Sequence, residues 1–119
     1  MTEWHLVAER SRGKASETAE LRRLRRRIDA LDRRIVALLN ERARVAREAG
    51  QAKADAGRTA VRDAEREREI LLRVSMANEG PMPQADLIAL YRRLFAATRA
   101  LESRDRRRPR DVNAGGGDA

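Results

Sequence analysis

"LRRLRRRIDALDRRIVALLNERARVAREAGQAKADA", residues 21–56, decides the fold. It contains no proline and one interior glycine, Gly50. Its apolar register runs Leu24, Ile28, Leu31, Ile35, Leu38, then Arg42, then Val45, Ala49 and Ala52, in alternating steps of four and three. That spacing predicts one amphipathic helix from about residue 19 to about residue 56. At 1.5 Å per residue it extends over about 50 Å. A domain of this chain length is only about 30–40 Å across. Such a helix protrudes from a monomer, so a homodimer is expected, with partner helices covering the stripe.

Composition narrows the chemistry. Of 119 residues, 39% are charged and 3% aromatic, which leaves little material for a private core and again favours a bundle or an oligomer. There is no cysteine, and the one histidine, His5, lies outside any periodic segment. Disulfides, thiolate metal sites and histidine-based triads are thereby excluded, and neither metal nor cofactor is expected. No apolar run approaches the roughly 20 residues of a membrane span, and the opening "MTEWHLVAERSRGK" lacks the apolar core of a signal peptide, so the cytoplasm is the expected compartment. The net charge of +8 raises the question of nucleic acid. Much of that excess is local, in "LRRLRRR" at 21–27 and "RDRRRPR" at 104–110, and lysine occurs only at 14 and 53. Charge alone is a weak pointer, and nucleic acid is not the expected partner.

The remaining chain divides at its breakers. Residues 1–18 show no sustained period and are expected to be a flexible arm; 19–103 form the helical domain; 104–119, ending in "DVNAGGGDA", have the composition of a disordered tail. "AGRTA" (56–60) ends the long helix, with Gly57 at its C-terminus. A second helix is predicted from about Asp63 to Ala77, and "NEGPMP" (78–83) is a turn in which Pro83 suits the first position of a third helix. That helix is expected over about 84–103, with Leu87, Tyr91, Leu94, Thr98 and Leu101 on one stripe and Phe95 and Glu102 beside it. The fold class is all-α: a very long helix, a short one and a medium one, intertwined with a second copy.

Every predicted helix carries polar groups on its apolar face. Arg42 interrupts the stripe of the first helix, and Lys53, eleven positions later, projects in nearly the same direction. Asp63 and Glu67 sit on the inner stripe of the second helix; Thr98 and Glu102, four apart, lie on the inner side of the third. Taken singly, each has a plain explanation: a buried pair such as Arg42 with Glu67, or an Asp63 that caps its helix. Taken together, a polar cluster of this size inside a bundle points to a bound ligand.

The order "LRRRID", "LDRRIVALLNERA", "GQAK", "VRDAEREREIL" and "LIALYRRLFAATRALE" resembles the all-helical class of chorismate mutases over roughly residues 20–102. The resemblance implies an intertwined homodimer that rearranges chorismate to prephenate in phenylalanine and tyrosine biosynthesis. It places the family's functional arginines on Arg25 and Arg42, its lysine on Lys53, its Asp, Arg and Glu on Asp63, Arg66 and Glu67, its hydroxyl residue on Thr98, and a position commonly glutamine in bacterial members on Glu102. Arg42, Lys53, Glu67 and Glu102 are thereby the expected catalytic residues, and Arg25, Asp63, Arg66 and Thr98 the substrate-binding ones. Arg25 lies 17 positions before Arg42, about 25 Å along a helix axis. One straight helix cannot bring both to one small ligand, so Arg25 is expected to serve the site of the partner subunit.

These residue types suit that chemistry. The rearrangement breaks a carbon–oxygen ether bond as a carbon–carbon bond forms, and needs no nucleophile and no obligatory proton transfer. It needs a dicarboxylate held in its compact conformer and stabilisation of charge growing on the ether oxygen. Arginines pair with the carboxylates, Lys53 with the ether oxygen, and Glu67 with the ring hydroxyl. Glu102 can donate to the ether oxygen only when protonated, where a glutamine donates at any pH. An isochorismate pyruvate lyase or a mutase for 4-amino-4-deoxychorismate would need a similar cationic cage. The alternative from another class is a non-catalytic basic helical scaffold or nucleic-acid-binding protein.

Overall fold

A computed structural model describes residues 17–58 and 62–107 of the chain. The described residues form three helices and no strand: α1 (Ala19–Asp55), α2 (Ala64–Ala77) and α3 (Gln84–Arg107). None of them is long and apolar enough to cross a membrane. The expected arm and tail fall mostly on residues 1–16 and 108–119, outside the described residues.

α1 begins where its first free amide finds an acceptor. Thr18 Oγ1 accepts from Leu21 N at 3.0 Å, and the Thr18 carbonyl accepts from Arg22 N at 3.0 Å. Its first segment, to Glu41, keeps the predicted stripe but leaves it uncovered: Ile28 is 55% exposed, Ile35 51% and Leu38 59%. The helix ends in a Schellman arrangement. Gly57 N donates to Ala54 O at 3.0 Å and Arg58 N to Lys53 O at 2.9 Å. Gly57 makes this possible with φ of +84°, a conformation in which a Cβ meets its own backbone. Lys53 therefore sits in a final turn whose carbonyls are tied down rather than frayed.

α2 starts on Asp63, which caps it, and ends at Asn78. Asn78 then organises the turn into α3. Its Nδ2 donates to Met82 O at 3.0 Å and Gln84 Oε1 at 2.9 Å, while its Oδ1 accepts from Gly80 N at 3.0 Å. Pro83, expected as the first helical residue, stands just before α3 and accepts from Asp86 N and Leu87 N, each at 3.1 Å. The third helix runs four residues beyond the expected end at 103, because the arginines of "RDRR" extend it favourably at its C-terminal end.

The second segment of α1, from Arg42, lies beside α3 in the same direction. Arg42 stacks near Tyr91 and Phe95, and further along Gly50 meets Glu102. Phe95, 5% exposed, is the buried apolar residue there, in edge contact with Tyr91 at a centroid distance of 6.2 Å. The buried line of α3 is thus Phe95 and Glu102, seven apart, with Tyr91 and Thr98 half-buried around them, rather than the leucine stripe read from spacing. The leucines remain half-covered because no second apolar layer faces them among the described residues. Gly57→Ala is expected to lower stability by about 1–2 kcal/mol, the cost of holding an alanine in the left-handed region. Thermal unfolding at one fixed protein concentration checks this, and an unchanged or higher midpoint would refute it.

Candidate functional site

Arg42 is the cation at the centre of the seam. Its guanidinium carbon lies 5.8 Å from the Tyr91 ring centroid and 5.9 Å from that of Phe95, a placement stabilised by the negative faces of both rings. It is half-buried and makes no ion pair among the described residues. The Arg42–Glu67 pair that would explain both residues without a ligand does not form. Lys53, three turns further on, is also half-buried, and its ammonium has no hydrogen bond or ion pair among the described residues.

Across the seam Glu102 is 7% exposed, and its Oε1 has no hydrogen-bond partner among the described residues. A buried carboxyl oxygen without a partner is costly, and in native structures such a group calls for a ligand or a specific role. Its side chain lies against Gly50, in an open cleft of about 140 Å³ that Arg47, Gln51 and Ala54 also line. Arg47 donates to Asp105 through Nε at 2.9 Å and NH2 at 2.7 Å. That hydrogen-bonded pair holds the Arg47 guanidinium above its ordinary pKa, so it stays charged at any working pH. Thr98 is half-buried on the same face of α3.

Glu67 is held by residues that the sequence did not single out. Arg99 NH1 donates to its Oε2 at 2.5 Å, and Arg62 Nε lies 3.5 Å from its Oε1. Glu67 lines a second cleft, of about 370 Å³, between α2 and α3, whose walls carry Arg68, Arg92 and Arg99 over Phe95 and Leu71. Neither cleft is lined by Arg42 or Lys53. Arg62 and Arg99 read as ordinary surface arginines in the sequence. Only the reach of a long side chain across two helices reveals them, and periodicity does not encode it.

Asp63 fills one of its two expected roles, the helix cap. Its Oδ1 accepts from Arg66 N at 3.0 Å, capping α2, and its Oδ2 is 3.7 Å from Arg58 NH2. Arg66 extends along the surface to Glu69, at 3.1 Å, with both side chains 52% exposed. Arg25 belongs to the first segment of α1 and pairs with Glu17. Among the described residues no group of acidic or histidine side chains is arranged to hold a metal ion.

Comparison with known proteins adds to this geometry. A model of the family "Chorismate mutase type II" matches residues 24–103. The chain is 38% identical over 89 residues to a bifunctional chorismate mutase/prephenate dehydratase of Aquifex aeolicus, covering 71% of this chain and 24% of that protein. It is 36% identical over 91 residues to the protein of the same description from Stutzerimonas stutzeri, covering 73% and 25%. The chain thus spans about a quarter of the length of these curated relatives. Among solved structures it resembles chorismate mutase from Thermus thermophilus in two forms. Form II has a TM-score of 0.67 and 33% identity, covering 71% of this chain and 96% of that one; form I has 0.63 and 32%, covering 66% and 98%.

The cap makes a prediction that separates structure from chemistry at Asp63. Asp63→Ala is expected to cost about 1 kcal/mol of stability, and Asp63→Asn to cost almost nothing, since asparagine caps as well as aspartate. Equal losses in the two variants, measured by urea unfolding, would show that charge rather than capping sets the role of Asp63 in the fold.

Proposed function

The chain belongs to the chorismate mutase type II family, and on that premise we propose that it converts chorismate to prephenate in the cytoplasm as a homodimer with two equivalent sites. The observation that carries the activity is the pair of half-buried cations, Arg42 and Lys53, on one line of α1, neither engaged by a carboxylate among the described residues. Two unspent, half-buried cations on one line of a helix suit a small dicarboxylate better than they suit a helix core. The prephenate dehydratase activity in the relatives' names is not ascribed to this chain, whose family match covers residues 24–103 only.

In this reading each group has one task. Arg42 binds one substrate carboxylate, and Arg25 of the partner subunit binds the other. Lys53 donates to the ether oxygen as charge grows there, and a donor already in place costs no reorganisation at the moment of reaction. Glu102 is the candidate second donor to that oxygen, a role that a carboxyl fills only through its O–H. Glu67 accepts from the ring hydroxyl, with Arg99 and Arg62 holding its carboxylate. Asp63, Arg66 and Thr98 border the substrate. The exposed stripe of α1 supports the dimer: a row of isoleucines and leucines open to water is stable only when covered, and a second α1 has the matching stripe.

Adding purified protein to chorismate is expected to remove the absorbance of chorismate and to yield prephenate. Isochorismate and 4-amino-4-deoxychorismate, tested in parallel, are expected to turn over slowly or not at all. Lys53→Ala is expected to lower turnover about 10²–10³-fold, the loss of one oriented donor to a developing oxyanion. No product from chorismate, with Arg42→Ala instead weakening salt-sensitive binding to nucleic acid, would establish the scaffold alternative.

The shared site has its own test. Arg25→Ala and Arg42→Ala chains, each nearly inactive alone, are expected on mixing to regain about one working site per mixed dimer, because the two lesions then share one site and leave the other intact. If subunit exchange is demonstrated and no activity returns, Arg25 does not act across the dimer.

A further inference from the structure

Gly50 is the buried residue of α1, and Glu102 of α3 buries it. A Cβ placed on Gly50 would lie 3.1 Å from Glu102 Cγ, 3.2 Å from Cδ and 3.4 Å from Oε2. Carbon atoms of close-packed side chains approach to about 3.5–4.0 Å, so a methyl group there requires something to move. Glycine is otherwise a poor choice at this position. It lies inside a helix, where alanine is preferred, and it has no left-handed backbone angle that would demand glycine. What it provides is space.

The helices are poorly placed to yield that space by separating. Three residues before Gly50 and three after Glu102, Arg47 and Asp105 are joined by two hydrogen bonds of 2.9 and 2.7 Å. The three atoms nearest the added methyl all belong to the Glu102 side chain, from Cγ to the carboxyl. The displacement therefore falls on the Glu102 carboxyl, whose Oε1 is buried and without a partner among the described residues. We infer that Gly50 is a positioning residue for Glu102: its missing side chain lets the carboxyl lie against α1 one turn before Lys53, so that both donors address the same substrate atom. This rests on the reading of Glu102 as a donor to the ether oxygen, and extends it to a residue that touches neither substrate nor reacting atoms.

The test is a kinetic double-mutant cycle on the full chain with chorismate as substrate. It uses Gly50→Ala, Glu102→Ala and the two together, with helicity followed by circular dichroism. Gly50→Ala is expected to keep its helix content and to lose about 10- to 100-fold in turnover, with a smaller change in KM, as for a catalytic group displaced by an ångström or less. In the double variant the methyl has no carboxyl to displace. Its turnover is then expected to equal that of Glu102→Ala alone, which shows that the two losses are one loss. Wild-type turnover in Gly50→Ala, or losses that multiply in the double variant, would overturn the inference. If Gly50→Ala does not fold, the double variant is expected to fold with Glu102→Ala turnover, and its failure to do so would show that Gly50 closes a backbone contact instead. Wild-type turnover in Glu102→Ala is a different failure: it removes Glu102 from the reaction and the positioning role with it.

Discussion

The seam between the second segment of α1 and α3 is closed over one aromatic side chain. Phe95 is the apolar residue that the described part of the chain buries, and Arg42 lies across its ring and that of Tyr91. A guanidinium held by two ring faces is oriented without being neutralised. A carboxylate in the same place would have oriented it equally well and cancelled its charge for any ligand. The rest of the seam follows from this choice. With α1 anchored at Arg42, Gly50 meets Glu102 two turns later and Arg47 reaches Asp105. One buried aromatic is, however, far less apolar burial than three helices need to offset the ordering of their backbone. In the proposed dimer a second copy covers the long stripe and adds to stability, so that folding and site formation become the same event.

The helices were legible because their signals are local. Alternating steps of four and three, a glycine after the last apolar residue, and a proline ahead of a new periodic run each report on their own neighbourhood, and α1, α2 and α3 follow them closely. Arg42 was legible for the same reason, since a cation within an apolar register is a local anomaly, and Lys53 stood out by its spacing of eleven residues from it. The partners of Glu67 were not. Arg99 and Arg62 stand 32 and 5 residues away from it, and nothing in the register of either segment says that their guanidiniums meet on one carboxylate. Phe95 and Glu102 were placed beside the third stripe and proved to be its centre, because which side of a helix is buried depends on the neighbour as much as on the pattern. Gly50 was visible only as an interruption. Its meaning lies in a contact with a residue 52 positions later, which no periodicity records.

The excess of arginine takes on a different sense once the pairs are drawn. Arg23 is bound to Glu20, Arg25 to Glu17, Arg47 to Asp105, Arg66 to Glu69, and Arg99 to Glu67. Such surface pairs contribute little to stability, but they do neutralise charge locally. What matters for function is where unspent charge coincides with partial burial, because a half-dehydrated cation attracts a small anion far more strongly than an exposed one. Arg42 and Lys53 meet that condition on one face of one helix. A nucleic-acid interface would place its cations outward and in a row, as the exposed arginines of "LRRLRRR" do, and would have no use for a cation resting on two aromatic rings. The net charge of +8 describes the surface of this chain. In the proposed reaction, the chemistry is set by two half-buried charges, Arg42 and Lys53.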